Sequence, residues 1–232
     1  MKMLVSDYDN TFHIKDEDME LNVKKSSEFM KDNLFVIATG RSYESYKTAQ
    51  QQFNIKTNYI VIDHGSTILK DDKVIFTDPI DNDVKENLIE DLEINNIDYY
   101  HCYKGLEEVE ITEDDINKIL IVYKDHDTAV KIRKLIKEKY SKELKNFHFT
   151  TYNSVEIVAG DVDKAHAIEY ILKLENPDKL YVIGDNHNDY LMIKNYNGSC
   201  THMAVDEVKQ IAKKEYINVS DFIEEIESGI IW

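Results

Sequence analysis

The sequence predicts an α/β fold, a parallel sheet carrying a smaller inserted α+β domain. Three observations predict it. Short apolar runs at residues 3–6, 34–38 and 59–62 alternate with amphipathic, helix-like stretches. Parallel strands need such crossovers, and alternation of this kind gives right-handed βαβ units. The pattern then changes at residues 80–159 to helix–strand–strand, twice over. The alternation resumes from residue 165. The expected domains are therefore a core of residues 1–79 and 160–232, and an insert of 80–159.

Each element has its own reason. Residues 3–6 form an apolar run that reads as a buried strand. Residues 20–32 space Leu21, Val23, Phe29 and Met30 as a helix would. Residues 34–38 are continuously apolar, as a strand covered on both faces should be. In 42–53, Ser42 is a candidate N-cap, and Tyr43, Tyr46, Ala49 and Phe53 share one helical face. Residues 59–62 make a third strand, and 67–69 with 73–76 make a hairpin across Lys70-Asp71-Asp72. In the insert, 83–93 and 128–140 read as helices. Residues 98–103, 118–123, 147–152 and 154–158 read as a four-stranded sheet. Back in the core come a helix at 165–174, a strand at 180–183, a short helix at 190–195, a strand at 200–205, and helices at 206–215 and 221–227. Only seven glycines occur, so Gly40, Gly65 and Gly184, each just past an expected strand, mark strand ends worth attention.

Composition limits the partners. The chain has 232 residues and a formal net charge of -17, and its lysines are scattered among acids. A polyanion or an acidic membrane surface would be repelled, so neither nucleic acid nor membrane is an expected partner. A small anion is compatible, because a metal and a few local cations can reverse the field inside a cleft. Two cysteines, Cys102 and Cys200, make no disulfide framework and suit a reducing cytoplasm. The apolar run between Lys2 and Asp7 is too short for a signal peptide, and none elsewhere is long enough to span a bilayer.

Four clusters lie where strands end or helices begin: Asp7-Tyr8-Asp9-Asn10-Thr11, Thr39-Gly40-Arg41, Lys164, and Gly184-Asp185-Asn186-His187-Asn188-Asp189. In a parallel sheet all strand C-termini share one edge, so these clusters should converge. The residue types suit phosphoryl transfer. An aspartate can attack phosphorus, and a second carboxylate can protonate the leaving oxygen and then activate water. Magnesium takes oxygen ligands and offsets phosphoryl charge. A threonine hydroxyl, backbone N–H groups past a glycine turn and a lysine can hold the phosphate oxygens.

These residues resemble the haloacid dehalogenase superfamily, specifically its Cof-type phosphatases with a C2B cap. The resemblance rests on Asp-x-Asp-x-Thr at 7–11, Ala-Thr-Gly-Arg at 38–41, Lys164, and Gly-Asp-x-x-Asn-Asp at 184–189, with the insert between the second and third motifs. It implies a Rossmann-like core and a cap that closes over the cleft and selects the leaving group. It implies a magnesium-dependent phosphatase acting on a small phosphorylated metabolite. Asp7 would be nucleophile and metal ligand, and Asp9 the general acid/base, ligating through its backbone carbonyl. Asp185 would complete the protein ligands. Thr39, Gly40, Lys164 and Asn188 would hold the phosphoryl group. Asp189 would orient Lys164 or a metal-bound water, and Arg41 would be either a substrate contact or a surface salt bridge.

Three departures stand out. Asn10 replaces the usual glycine, Asp63-His64-Gly65-Ser66 replaces Asn-Gly-Ala, and the 203–206 loop lacks its usual asparagine. Asparagine tolerates a left-handed backbone, so the first turn should survive. His64 is a candidate for facing the cleft, whereas His187 sits at a variable position and is assigned no role. Two alternatives share parts of this reading: a phosphomutase acting on a hexose phosphate, and a sensor that binds a phosphometabolite without turnover. The intact Asp7 and Asp9 pair weighs against the sensor, since a binder needs no acid/base.

Overall fold

The computed structural model describes residues 1–147 and 153–229. The chain divides into two compact units, Met1–Lys73 with Asp163–Trp232, and Val74–Val162. The expected junctions at 79/80 and 159/160 both fall inside the second unit. At its far end the chain stays tied within that unit, where Gly160 N–H donates to the Glu143 carbonyl and Lys145 Nζ to the Val162 carbonyl.

The first unit is the α/β layer. It begins β1 (Lys2–Ser6), α1 (Asp16–Phe29), β2 (Leu34–Ala38), α2 (Tyr43–Phe53), β3 (Tyr59–Ile62) and β4 (Thr67–Lys70). β5 (Lys73–Thr77) carries the chain into the second unit. That unit contains α3 (Asn82–Asp91), β6 (Ile97–Lys104), β7 (Glu107–Val109), β8 (Lys118–Tyr123), α4 (His126–Lys139), β9 (Leu144–Phe147) and β10 (Ser154–Ala159). The first unit resumes with α5 (Lys164–Glu175), β11 (Lys179–Gly184), α6 (Tyr190–Asn195), β12 (Ser199–Thr201), α7 (Asp206–Ile211), β13 (Glu215–Tyr216) and α8 (Val219–Ser228).

Within the first unit the strand order is β13-β12-β11-β1-β2-β3-β4, parallel throughout except for the antiparallel β3–β4 pair. Ser6 pairs with both Ile183 and Ile37, so β1, β2 and β11 end side by side. β2 and β3 are buried along their whole length, which explains their continuous apolar sequences. α1 packs on α8, and its buried stripe is Met19, Asn22, Ser26 and Phe29. Leu21, expected on that stripe, is 45% exposed. The reason is polar. Buried Asn22 donates to the Phe12 carbonyl and accepts from Ser220 N–H, joining α1 to the first loop and to α8.

In the second unit a five-stranded antiparallel sheet, β7-β6-β8-β10-β9, packs with α3 and α4 around Leu88, Cys102, Ile119, Ile121, Ile132 and Val155. Asp81 and Asp125 cap the two helices, accepting from Val84 N–H and Thr128 N–H. Four strands were expected. The fifth, β7, is a short acidic strand turned back by Gly105, whose φ is +60°. β9 runs Leu144–Phe147 and overlaps the strand expected at 147–152 only at Phe147; residues 148–152 lie outside the described residues.

Other boundaries shift as well. α1 starts at Asp16, where Asp16, Glu17 and Asp18 complement the positive helix end. The expected 200–205 strand is only Ser199–Thr201, and α7 stops at Ile211 before the unanticipated strand β13. Burial pushes the Cys102 and Cys200 thiols up to about 12 and about 11, so both stay protonated. Among the described residues, no helix is long and apolar enough to cross a membrane.

Ile37 is fully buried beside Ser6 in the centre of the sheet. Ile37→Ala should lower unfolding free energy by about 2–5 kcal/mol, read as a lower urea midpoint at unchanged slope. A loss under about 1 kcal/mol would contradict a close-packed sheet centre.

Candidate active site

The site is built on the ends of β1, β2 and β11. Asp7 follows β1 directly, and its N–H donates to the Ile183 carbonyl, extending the strand pairing by one residue. The chain then turns tightly. Phe12 N–H donates to the Asp7 carbonyl, His13 N–H to the Tyr8 carbonyl, and Asn10 N–H to the His13 carbonyl. Asn10 takes the left-handed φ of 56°, so asparagine fills the glycine position as expected. Thr201 Oγ1 donates to the Asn10 carbonyl and fixes the turn from the far strand.

Lys164 is the first residue of α5 and is 0% exposed. The preceding Asp163 caps the helix by accepting from His166 N–H at 2.8 Å. The Lys164 ammonium donates to Asp7 Oδ1 at 2.5 Å and to Asp189 Oδ1 at 2.6 Å. The other Asp189 oxygen accepts from the N–H groups of Asp185 and Asn186 at 2.9 and 3.0 Å. Gly184 makes this possible: a Cβ there would lie 2.5 Å from Asp189 Cγ. Asp185 Oδ1 accepts from Thr11 Oγ1 at 3.0 Å, and its carbonyl accepts from Val205 N–H. One carboxylate oxygen each from Asp7, Asp185 and Asp189 can be chosen so that all lie within 4.8 Å of one another.

Electrostatics follow from this crowding. Burial raises the Asp7 carboxyl well above its usual range; Asp189 and Asp185 push the same way, and Lys164 opposes them. Burial and Asp189 likewise push Asp185 up to about 6. Burial pulls the Lys164 ammonium down, but Asp189 and Asp7 together outweigh it, so the lysine stays charged. Carboxylates outnumber the ammonium, and oxygen donors so close together fit a hard divalent cation.

A second group forms around β2. Thr39 N–H donates to the Val61 carbonyl, and Thr39 Oγ1 accepts from Arg41 N–H at 3.1 Å. Arg41 in turn grips Asp9 with two hydrogen bonds, Nε to Oδ2 at 2.8 Å and Nη2 to Oδ1 at 2.6 Å. The Asp9 carboxylate therefore lies outside the carboxylate cluster, where Asp189 takes part instead. Gly40 packs directly on the His64 ring, since a Cβ would lie 2.3 Å from His64 Cε1. His64 is buried in a left-handed turn rather than displayed in a cleft. Asn188 sits on the turn before Asp189, and its buried Oδ1 has no hydrogen-bond partner among the described residues. His187 is exposed. The sequence reading gave no role to Thr11 toward Asp185 or to Thr201. Thr11 was visible in the first motif, whereas nothing local marks Thr201.

A family model for haloacid dehalogenase-like hydrolases matches residues 4–105 and 101–222. A Mycoplasma capricolum protein is 25% identical over 252 residues, covering 91% of this chain and 95% of that one. A Mycoplasma genitalium protein named as a candidate phosphatase is 32% identical over 81 residues, 34% of this chain and 28% of its own. The solved structure of a haloacid dehalogenase-like hydrolase from B. subtilis superposes with a TM-score of 0.80 at 16% identity, covering 97% of this chain and 100% of that one.

The raised carboxyls have a signed consequence. Between the ordinary carboxylate value of 3.8 and about 6, folded Asp185 holds a proton that the unfolded chain has released. Without added metal, stability from this group should fall as pH rises through that window. Thermal midpoints from pH 4 to 7 should show the fall in wild type and a flatter profile in Asp185→Asn. Parallel profiles would contradict the shift.

Proposed function

The chain belongs to the haloacid dehalogenase-like hydrolases, and on that premise we propose that it is a magnesium-dependent phosphatase of small phosphorylated metabolites. One observation carries the reading. A fully buried lysine bridges the first-strand aspartate and Asp189, beside Asp185, at the C-terminal edge of a parallel sheet. Ligands of open α/β folds bind at that edge. The Mycoplasma genitalium protein named as a candidate phosphatase supports the same activity.

Asp7 Oδ1 is engaged by Lys164, leaving Oδ2 as the attacking oxygen. It attacks phosphorus while the bond to the leaving oxygen breaks, and Asp9 delivers a proton to that oxygen. The product is an aspartyl-phosphate. Asp9 then takes a proton from a water that attacks the same phosphorus, freeing Asp7 and inorganic phosphate. Lys164 stays protonated and offsets charge on Asp7 and on the phosphoryl oxygens. The Thr39 hydroxyl, which accepts from Arg41 N–H, keeps its own proton free to donate to phosphate. Gly40 and Asn188 complete the phosphate cradle.

Magnesium fits the donor set, with Asp7, Asp185 and the Asp9 carbonyl as ligands and Asp189 steering Lys164. When bound, it would offset charge on the transferring group. The inserted unit serves as the cap, and a sugar-phosphate-like ester is the expected substrate class.

A phosphate-release screen over phosphorylated metabolites tests the activity, with EDTA expected to abolish it and magnesium to restore it. Asp7→Asn should lower turnover on the order of 10³-fold or more and keep the fold. It should also shrink the rise in melting temperature that magnesium gives the wild type. Near-normal hydrolysis by this variant would remove Asp7 from the mechanism.

A further inference from the structure

Arg41 is held more completely than a surface arginine would be. Its N–H donates to Thr39 Oγ1, and its carbonyl accepts from Asp63 N–H at 2.9 Å. Its guanidinium lies over the Tyr8 ring, 4.9 Å from the centroid. The stack of Tyr8 on His13, at 5.7 Å with planes 10° apart, and the edge contact with Tyr46 hold that ring in turn. Nη1 lies 3.5 Å from the Ser45 carbonyl. Burial pushes the Tyr8 phenol up to about 12, so the platform stays neutral and its π face suits a cation.

From this geometry we infer that Arg41 is the positioning residue for Asp9, fixing the direction in which Asp9 gives and takes its proton. The inference rests on the phosphatase reading above. A carboxylate offers lone pairs on both oxygens, and a bidentate guanidinium takes one on each. The remaining lone pair on each oxygen then points in a set direction. A proton carried there goes to one place, first to the leaving oxygen and back again from the attacking water. Asp9 needs such a holder because its side chain is 47% exposed and, among the described residues, Arg41 rather than a buried lysine binds it. Exposed ion pairs are ordinarily weak, but a stacked, two-point pair resists rotation as a single ammonium cannot. The Thr39–Arg41 bond also links the proton donor to the phosphate-holding loop, so both move together.

The test separates proton delivery from binding. Arg41→Ala and Arg41→Lys are compared with wild type on an alkyl phosphate, whose leaving oxygen needs a proton, and on p-nitrophenyl phosphate, whose leaving group does not. Wild-type hydrolysis of both establishes the phosphatase reading independently; no hydrolysis of either would sink that reading rather than this one. Both variants should lose about tenfold to a hundredfold in the first-turnover rate of leaving-group release on the alkyl ester, with KM nearly unchanged, and under about threefold on the aryl ester, because that rate precedes the Asp9-assisted water attack the two esters share. Added guanidinium ion should restore part of the alkyl-ester rate of Arg41→Ala but none of Asp9→Asn. A rise in KM on both esters would make Arg41 a substrate contact instead. Equal losses of that first-turnover rate on both esters, or no change on either, would overturn the assignment.

Discussion

Everything in the core turns on one buried ammonium. Lys164 is withdrawn from water between Asp7 and Asp189. Desolvating an ammonium costs several kcal/mol unless partners replace its hydration. Two carboxylates do so here, and neither could be buried so deeply without it. The three residues come from three distant stretches of chain, and only the shared edge of a parallel sheet brings them together. The finer geometry depends on Gly184, whose missing side chain lets Asp189 lie against the strand end, and on Asp163, which starts α5 at the residue where the lysine must enter. A bond this demanding makes stability and site geometry a single problem.

The two aspartates of the first motif solve opposite problems from positions separated by one residue. Asp7 is buried, and its neighbours on β2 and β11 leave it little room to move. Asp9 lies beyond the strand, after the turn has begun, and its carboxylate leaves the cluster for Arg41. The turn supplies the separation. With Asn10 left-handed and the Asp7, Tyr8 and His13 carbonyls all accepting N–H bonds, the chain reverses within a few residues. In the proposed reaction the nucleophile wants a fixed, desolvated position and the proton carrier wants access to water, so this division of burial suits that chemistry.

Much of this was legible in the sequence because its signals are local. The apolar runs of β1, β2, β3 and β11, with motif residues just beyond them, mark both the sheet and its functional edge. What escaped depends on distant partners. Asn22 and Ser26 look like surface residues by their polarity, yet Asn22 is buried because Phe12 and Ser220 satisfy it. β7 and β13 are too short and too charged to announce themselves, and each exists because a neighbouring strand offers an unpaired edge. His64 read as a loop residue near a cleft. Its burial follows from Gly40, where the absence of a side chain leaves a slot for the ring. A salt bridge was one of the two roles expected of Arg41, but Asp9 as its partner could not be read, since nothing in the sequence says which carboxylate an arginine faces.

The charge balance adds a constraint on how such a site can take an anion. The chain carries a formal net charge of -17. At physiological ionic strength that field is screened beyond about 8 Å, so it opposes approach only weakly and decides little at contact. At contact the local balance rules, and there the carboxylates of Asp7, Asp185 and Asp189 outnumber the single ammonium. A phosphate ester arriving at that cluster alone would meet like charge at short range, where a low dielectric magnifies the repulsion. Two remedies are open to the molecule. Protonation is one, and the raised Asp7 and Asp185 carboxyls lean that way, but a protonated Asp7 is no nucleophile. A divalent cation is the other, and it neutralises the cluster while leaving Asp7 ionised. On the proposed reading, the same acidic crowding that makes the pocket poor at holding an anion by itself argues that cation and ester would bind as a unit.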